Sequence, residues 1–536
     1  GRQRGACMPE AATSGHETTR WAKVIDQTRC IGCHACTTAC KSENEVPLGV
    51  TRTFVKYADV GRFPNARRAF QVTRCNQCDD APCTTACPTS AMFRRPDGIV
   101  DFDKSACIGC KACMAACPYD AIFINPDDHA AEKCNFCAHR IDMGLEPACV
   151  VVCPTEAILV GDLNDPSSKV ARTVGREPVT VRRPEKETHP KLFYNGAHQA
   201  TLDPLAAERP PGGIFMWSEQ PGGSHQVGAG VAARGRSGGH AGGPNSSAAA
   251  VLAYDVSHRA PWDWRVSMYT LTKGIAAGVY LAALLLTLLA GTGWDDGLWL
   301  RAVPLAALGA LGLTGLLLIW DLERPARFFM IFTRPQWRSW LVRGAFIIAA
   351  YGLVVTAHLG AGLGGGGAGG AATRWIAWAG APIAAMTAVY TAYLFAQSRA
   401  RDLWQNPLLP PHFLIQSLFA GGAVLLLLEE VGLGSVPGTR MLVAVSAGAH
   451  LLVVLGELSL THGTAHARMA AREMVAGRFA GWFWLGIVGV GASAALAGFA
   501  PVSLAWAPAA AAGVGLVGLF AHEHAHVQAG QAVPLA

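Results

Sequence analysis

The chain runs to 536 residues, 51% of them hydrophobic and 15% charged, with a formal net charge of +6. That length exceeds what one ordinary core organises, so two or more domains are expected. A charge this mild, with no basic stripe and no nucleic-acid-binding motif, argues against DNA or RNA as a partner.

An N-terminal arm of residues 1–20 comes first. It holds no apolar run, so no secretory signal peptide is expected, and GRQRGACMPE lacks the arginine pair and apolar stretch of twin-arginine export. Sixteen of the 17 cysteines then fall between Cys30 and Cys153, the other being Cys7. They follow C-x2-C-x2-C-x3-C at Cys30, Cys33, Cys36 and Cys40, and again at Cys107, Cys110, Cys113 and Cys117. A four-residue gap varies the pattern at Cys75, Cys78, Cys83 and Cys87, and a looped-out version uses Cys134, Cys137, Cys149 and Cys153. Two-residue gaps within one loop would strain most disulfides. Structural zinc takes ligand pairs a dozen or so residues apart, not three thiolates in seven. Iron–sulfur clusters fit, because a cubane needs a loop whose first three thiolates wrap one face while the fourth cysteine reaches another cluster. Pro88, Pro118 and Pro154 follow three of the fourth cysteines and end the local helix. At four thiolates each, sixteen cysteines imply four [4Fe–4S] clusters, which leaves Cys7 as an ordinary thiol.

Spacing alone leaves the pairing of motifs open. The segment 21–163 resembles the four-cluster ferredoxin subunits of molybdenum oxidoreductases, in which the first motif pairs with the fourth and the second with the third. The resemblance implies one cluster on Cys30, Cys33, Cys36 and Cys153, and one on Cys134, Cys137, Cys149 and Cys40. It likewise implies Cys75, Cys78 and Cys83 with Cys117, and Cys107, Cys110 and Cys113 with Cys87. Short β-rich pieces such as TFVKYADV and DGIVDFD predict hairpins that frame the cluster loops. Four clusters in one small domain suit stepwise electron transfer.

Residues 164–262 turn to Pro, Gly, Ser and Arg, and Pro221–Ala250 is a low-complexity tether. KLFYNGAH and GIFMWSEQ within this region are expected to be docking arms rather than a domain. From 263 to 536 the chain predicts membrane-spanning helices near 266–290, 300–320, 344–362, 375–397, 412–433, 440–460, 480–500 and 503–521. The predicted architecture is an α+β ferredoxin-like domain with four cubane clusters, linked flexibly to an all-α eight-helix transmembrane bundle. With eight helices, the loops on the side of the termini hold ten arginines: Arg324, Arg327, Arg334, Arg338, Arg343, Arg399, Arg401, Arg468, Arg472 and Arg478. The opposite loops hold three, Arg301, Arg374 and Arg440. Positive charge collects in the cytoplasm, so the ferredoxin domain is expected on the cytoplasmic side of the inner membrane.

KGIAAGVYLAA in the first helix, DLERPARF after the second, and GELSLTHGTAHARMA with the later FWLG make this half similar to the NrfD-type polysulfide-reductase quinone subunit. The resemblance implies a fusion of two subunits that pass electrons between a catalytic molybdopterin or tungstopterin subunit and the respiratory quinone pool, menaquinone or ubiquinone. A hydrogenase partner, or a redox-driven ion pump, is the alternative. The chain has no room for a pterin domain, so substrate chemistry is expected on another polypeptide.

Ionisable groups inside a bilayer are costly and therefore informative. The quinone candidates at the cluster-facing end are Tyr269, Lys273, Asp321, Tyr390, His412, Glu457 and His462. Tyr, His and Lys can donate to quinone oxygens, and Asp and Glu can relay protons. Glu457 is a candidate partner for Lys273, His450 lies mid-membrane, and the C-terminal HEHAH (His522, Glu523, His524, His526) resembles a metal-binding tract but is expected to be a solvated tail.

Overall fold

The structure is a computed structural model describing residues 19–61, 64–208, 249–364, 367–501 and 503–536. Cys7, GIFMWSEQ and nearly all of the low-complexity tether lie outside those residues.

Among the described residues, ten strands organise the cysteine-rich half. β1 (Trp21–Asp26) is central in a sheet between β8 (Ile158–Asp162) and β9 (Leu192–Asn195). β2 (Thr53–Val60) lies between β3 (Arg67–Arg74) and β10 (Ala250–Tyr254). Two hairpins complete the set: β4 (Met92–Arg94) with β5 (Val100–Phe102), and β6 (Ile122–Ile124) with β7 (Ala131–Lys133). Register explains which motifs meet. β1 pairs antiparallel with β8 from Trp21↔Asp162 to Ile25↔Ile158, which sets the Cys30 loop after β1 beside Cys153 before β8. The β4–β5 hairpin does the same for the inner motifs, because Cys87 and Cys107 flank it, while Cys117 and Cys134, which belong to different quartets, flank β6–β7. KLFYNGAH supplies β9, parallel to β1, so this arm is a strand of the sheet itself.

Eight long helices follow among the described residues: α1 (Trp264–Ala290), α2 (Val303–Trp320), α3 (Trp340–Leu363), α4 (Gly367–Gln397), α5 (Leu409–Glu430), α6 (Thr439–Ser459), α7 (Ala480–Phe499) and α8 (Ala507–Gln531). Seven of these are long and apolar enough to cross a membrane, α2 being extended by a π turn from Leu298. Leu353, Leu452 and Val488 face outward, as a lipid-exposed surface requires. α8 is 25 residues long but carries HEHAH in its last third. That corrects the expected solvated tail: the helix continues to Gln531, with His522, Glu523 and His526 buried. A further short helix, Ala465–Val475, lies between α6 and α7.

Small residues set the helix spacing. A Cβ on Gly278 of α1 would lie 1.7 Å from the Ser417 carbonyl oxygen of α5, so the two backbones touch. α7 and α8 run antiparallel in close contact, where Gly489 meets Gly518 and a Cβ on Gly486 would fall 2.7 Å from the His522 nitrogen.

The two halves dock through DLERPARF. Lys111, one residue after Cys110, donates to the Asp321 carbonyl at 2.8 Å and its carboxylate at 3.0 Å. Arg324 Nε reaches the Asp128 carbonyl at 2.6 Å and Arg327 Nη1 the Ser105 carbonyl at 2.7 Å. Gly109 has φ +72°, and a Cβ there would lie 2.6 Å from Glu323, so only glycine admits the loop.

Candidate functional site

Left-handed residues shape the cysteine loops. Gly32 and His34 in the first motif, Gly109 and Lys111 in the third, and Phe136 and Cys137 in the fourth all have positive φ, which curls the backbone around the sulfurs. None of these sixteen cysteines forms a disulfide. Three pockets of about 330, 320 and 350 Å³ are lined respectively by Cys30, Cys33, Cys36 and Cys153, by Cys75, Cys78, Cys83 and Cys117, and by Cys87, Cys107, Cys110 and Cys113. In the remaining quartet Cys40 neighbours Cys134, Cys137 and Cys149, and the Asn44 amide reaches Cys40 Sγ at 3.6 Å and Cys137 Sγ at 3.7 Å.

Electrostatics favour a charged inorganic group at these quartets. Burial, with neighbouring cysteines adding to it, pushes Cys36 up to about 11 and Cys40 up to about 12, so bare thiols there stay protonated. Yet Arg74, 2% exposed, sits between two quartets and donates to Cys149 Sγ at 2.9 Å. Its Nε and Nη2 have no hydrogen-bond partner, an arrangement that needs anionic charge nearby. Burial would raise Cys149 too, but Arg74 and Lys23 overcome it and hold that thiol below its ordinary value. A thiolate-ligated cluster supplies the missing negative charge. Backbone amides of Met92 and Ala131 point at Cys87 and Cys107 sulfurs at 3.4 Å, the kind of contact that tunes such clusters.

From the third quartet a run of aromatic rings enters the bundle. Trp262 Nε1 donates to the Cys110 carbonyl at 3.2 Å. Its ring stacks on Trp404 at 5.6 Å, and Trp404 stacks on Phe395 at 4.7 Å. Phe395 is in the wall of a pocket of about 300 Å³, completed by Thr270 of α1, Leu409, His412, Phe413 and Gln416 of α5, and His522, Glu523, His526 and Val527 of α8. An apolar pocket with a few convergent polar groups is a ligand site in character.

Inside it, His412 Nδ1 contacts Glu457 Oε1 at 3.0 Å, and His412 Nε2 contacts His450 Nδ1 at 2.9 Å and Gln416 Nε2 at 3.2 Å. Glu523 accepts from the Thr270 hydroxyl. Lys273, fully buried, donates to the Ala388 carbonyl at 2.7 Å and Thr391 Oγ1 at 2.9 Å. Its ammonium lies 5.0 Å from the Tyr390 ring and 4.9 Å from Phe413, one wall behind the pocket.

Of the residues singled out in the sequence, His412 lines the pocket and Glu457 orients it. Glu457 therefore pairs with His412 and not, as expected, with Lys273. Tyr269 packs in the core around Trp262, Phe395 and Trp404. Asp321 belongs to the docking loop, where burial pushes its carboxyl up to about 6 against the pull of Lys111. His462 is half-buried and offers its carbonyl to Arg468. Sequence reasoning noted His522, Glu523 and His526 but placed them in a solvated tail, and so missed their part in the pocket wall. Their signal was the i,i+4 spacing of His522 and His526 directly after the apolar run VGLVGLFA.

Comparison with known proteins agrees with both halves. Residues 21–42 match the 4Fe-4S binding domain and 67–163 the 4Fe-4S dicluster domain. A tetrathionate reductase subunit of Salmonella typhimurium is 42% identical over 209 residues, 38% of this chain and 82% of that protein. A polysulfide reductase polypeptide of Wolinella succinogenes is 41% identical over 177 residues, 32% of this chain and 93% of its own length. The NrfC homolog of Haemophilus influenzae is 44% identical over 195 residues, 35% of this chain and 87% of its own length. Residues 254–535, more than half the chain, match the family described as polysulphide reductase, NrfD. The chain thus belongs to the NrfD family, with an iron–sulfur electron-transfer part and a membrane anchor fused in one polypeptide.

Proposed function

We propose that this chain carries electrons through four [4Fe–4S] clusters between a catalytic subunit docked on its ferredoxin half and a quinone bound among α1, α4, α5 and α8. The observation that carries the reading is the unbroken contact from Cys110 through Trp262, Trp404 and Phe395 to the pocket wall. When bound, the clusters supply one-electron carriers at the cysteine quartets that the family resemblance implies. Gln416 holds a quinone oxygen beside His412, Glu457 takes His412 Nδ1–H and fixes its tautomer, and Glu523 holds a proton that accompanies the electrons. Lys273 and Tyr390 shape the wall behind Phe413, Tyr269 packs beneath the ring ladder, and Asp321 serves docking.

Relatives named as components of tetrathionate and polysulfide reductases support a partner acting on sulfur compounds, of molybdopterin or tungstopterin type by family resemblance. The close antiparallel contact of α8 with α7 supports an eighth crossing. The arginine asymmetry supports a ferredoxin half in the cytoplasm, at the inner membrane.

The test uses the full chain in detergent or lipid, purified without oxygen. Quinol should bleach the cluster absorbance in the native protein and fail to do so in His412→Ala, while dithionite reduces both. Equal quinol-driven reduction in the variant removes the pocket from the reading, and iron far below four cubanes per polypeptide removes the clusters.

A further inference from the structure

Three helices each bring a histidine to one point: His412 on α5, His450 on α6 and His522 on α8. One ring nitrogen from each falls within 4.8 Å of the others. The three residues are 4%, 0% and 2% exposed. His450 Nε2 and His522 Nδ1 have no hydrogen-bond partner. Leaving two imidazole nitrogens unpaired in an apolar interior is costly, and a third ring converging on them adds to the need for a reason.

We propose that His412, His450 and His522 form a site for a divalent transition-metal ion of the zinc class, separate from the iron–sulfur clusters. Neutral imidazoles suit zinc and its neighbours, whereas the thiolate quartets suit iron and sulfide. Glu457 completes the pattern: its carboxylate takes His412 Nδ1–H, which fixes the tautomer and turns Nε2 inward as a ligand. A dication among neutral rings inside a membrane needs counter-charge, and Glu457 provides a carboxylate against His412. Three protein ligands leave a position open in tetrahedral coordination. Because His412 and His522 also line the pocket, that position belongs to a water or to an oxygen of whatever the pocket holds.

The test is metal analysis of the complete, anaerobically purified protein, supported by cobalt(II) exchange into zinc-depleted protein. About one zinc per polypeptide is expected in addition to the iron, with visible cobalt bands of a tetrahedral site after exchange. His450→Gln and His522→Gln should each lose both signals while iron content and cluster absorbance stay unchanged, which also reports that the variants fold. Glu457→Gln should keep the site but weaken zinc by about 10- to 100-fold. Native protein with no zinc and no cobalt bands, or zinc retained by both histidine variants, overturns the proposal. Neither readout involves turnover, so the metal site can fail while quinol still reduces the clusters, and the reverse.

Discussion

Single charged residues decide much of the chemistry here. Arg74 is the clearest, because a buried guanidinium beside Cys149 stabilises the more negative, reduced form of any cluster those thiolates hold. Arg74→Gln keeps a donor but removes the charge, so at least one midpoint potential should fall by tens of millivolts in an EPR-monitored redox titration. Unchanged potentials would mean that the charge is screened. His258 is a second case. It contacts Asp120 Oδ2 at 2.5 Å and Asp255 Oδ1 at 3.1 Å, tying the segment after β10 to the residues following Cys117. Burial alone would lower its pKa, but Asp255 and Asp120 raise it from 6.5 to about 9. A folded pKa above the unfolded one means stability that is whole below 6.5 and lost as pH rises through 9. Thermal melts followed by cluster absorbance should therefore decline across that window, and His258→Asn should flatten the decline. An equal slope in both proteins would assign it to other groups.

At the level of elements, the long helices were legible because a bilayer demands about twenty apolar residues in a row, a signal that no other structure copies. The predicted 266–290 and 440–460 differ from Trp264–Ala290 and Thr439–Ser459 by no more than two residues at either end. α8 was less legible, since HEHAH departs from the apolar pattern and only tertiary packing buries it. The third cysteine loop was plain from spacing, but its role in docking was not, because Lys111 and Asp321 are 210 residues apart. Their side chains are only 7% and 9% exposed, so removing Asp321 leaves Lys111 with the more distant Glu323 carboxylate at 3.7 Å. Asp321→Ala should destabilise the interface by up to about 3–5 kcal/mol. Lys111→Met together with Asp321→Leu should recover most of that loss, as a buried pair exchanged for apolar volume often does. Denaturant melts of the three proteins check this, and a double variant no better than the single would show that the pair contributes more than its own neutralisation.

For the whole molecule, the arginine count that suggested orientation has a second cause. Arg324 and Arg327 reach ferredoxin carbonyls and Arg399 reaches Asp80 at 3.1 Å, so docking accounts for part of the excess on that face. The fusion itself also has a structural consequence. β10 lies beyond the tether, on the membrane side of the chain, yet it pairs with β2 from Ala250↔Val60 to Tyr254↔Tyr57 in the ferredoxin half. A strand donated across the junction covers an otherwise open sheet edge. The chain cut after Gly222 and expressed as two pieces should therefore reassemble, because β10 stays with the membrane piece. A membrane piece starting at Pro261 loses β10 and His258 but keeps the Lys111–Asp321 contact, and should be captured several-fold less well by a tagged ferredoxin piece. Pull-down from membranes, with cluster absorbance confirming a folded bait, distinguishes the two. Equal capture would mean that DLERPARF docking suffices and that β10 only closes an edge, while no capture of either piece would mean that the halves assemble only when covalently joined.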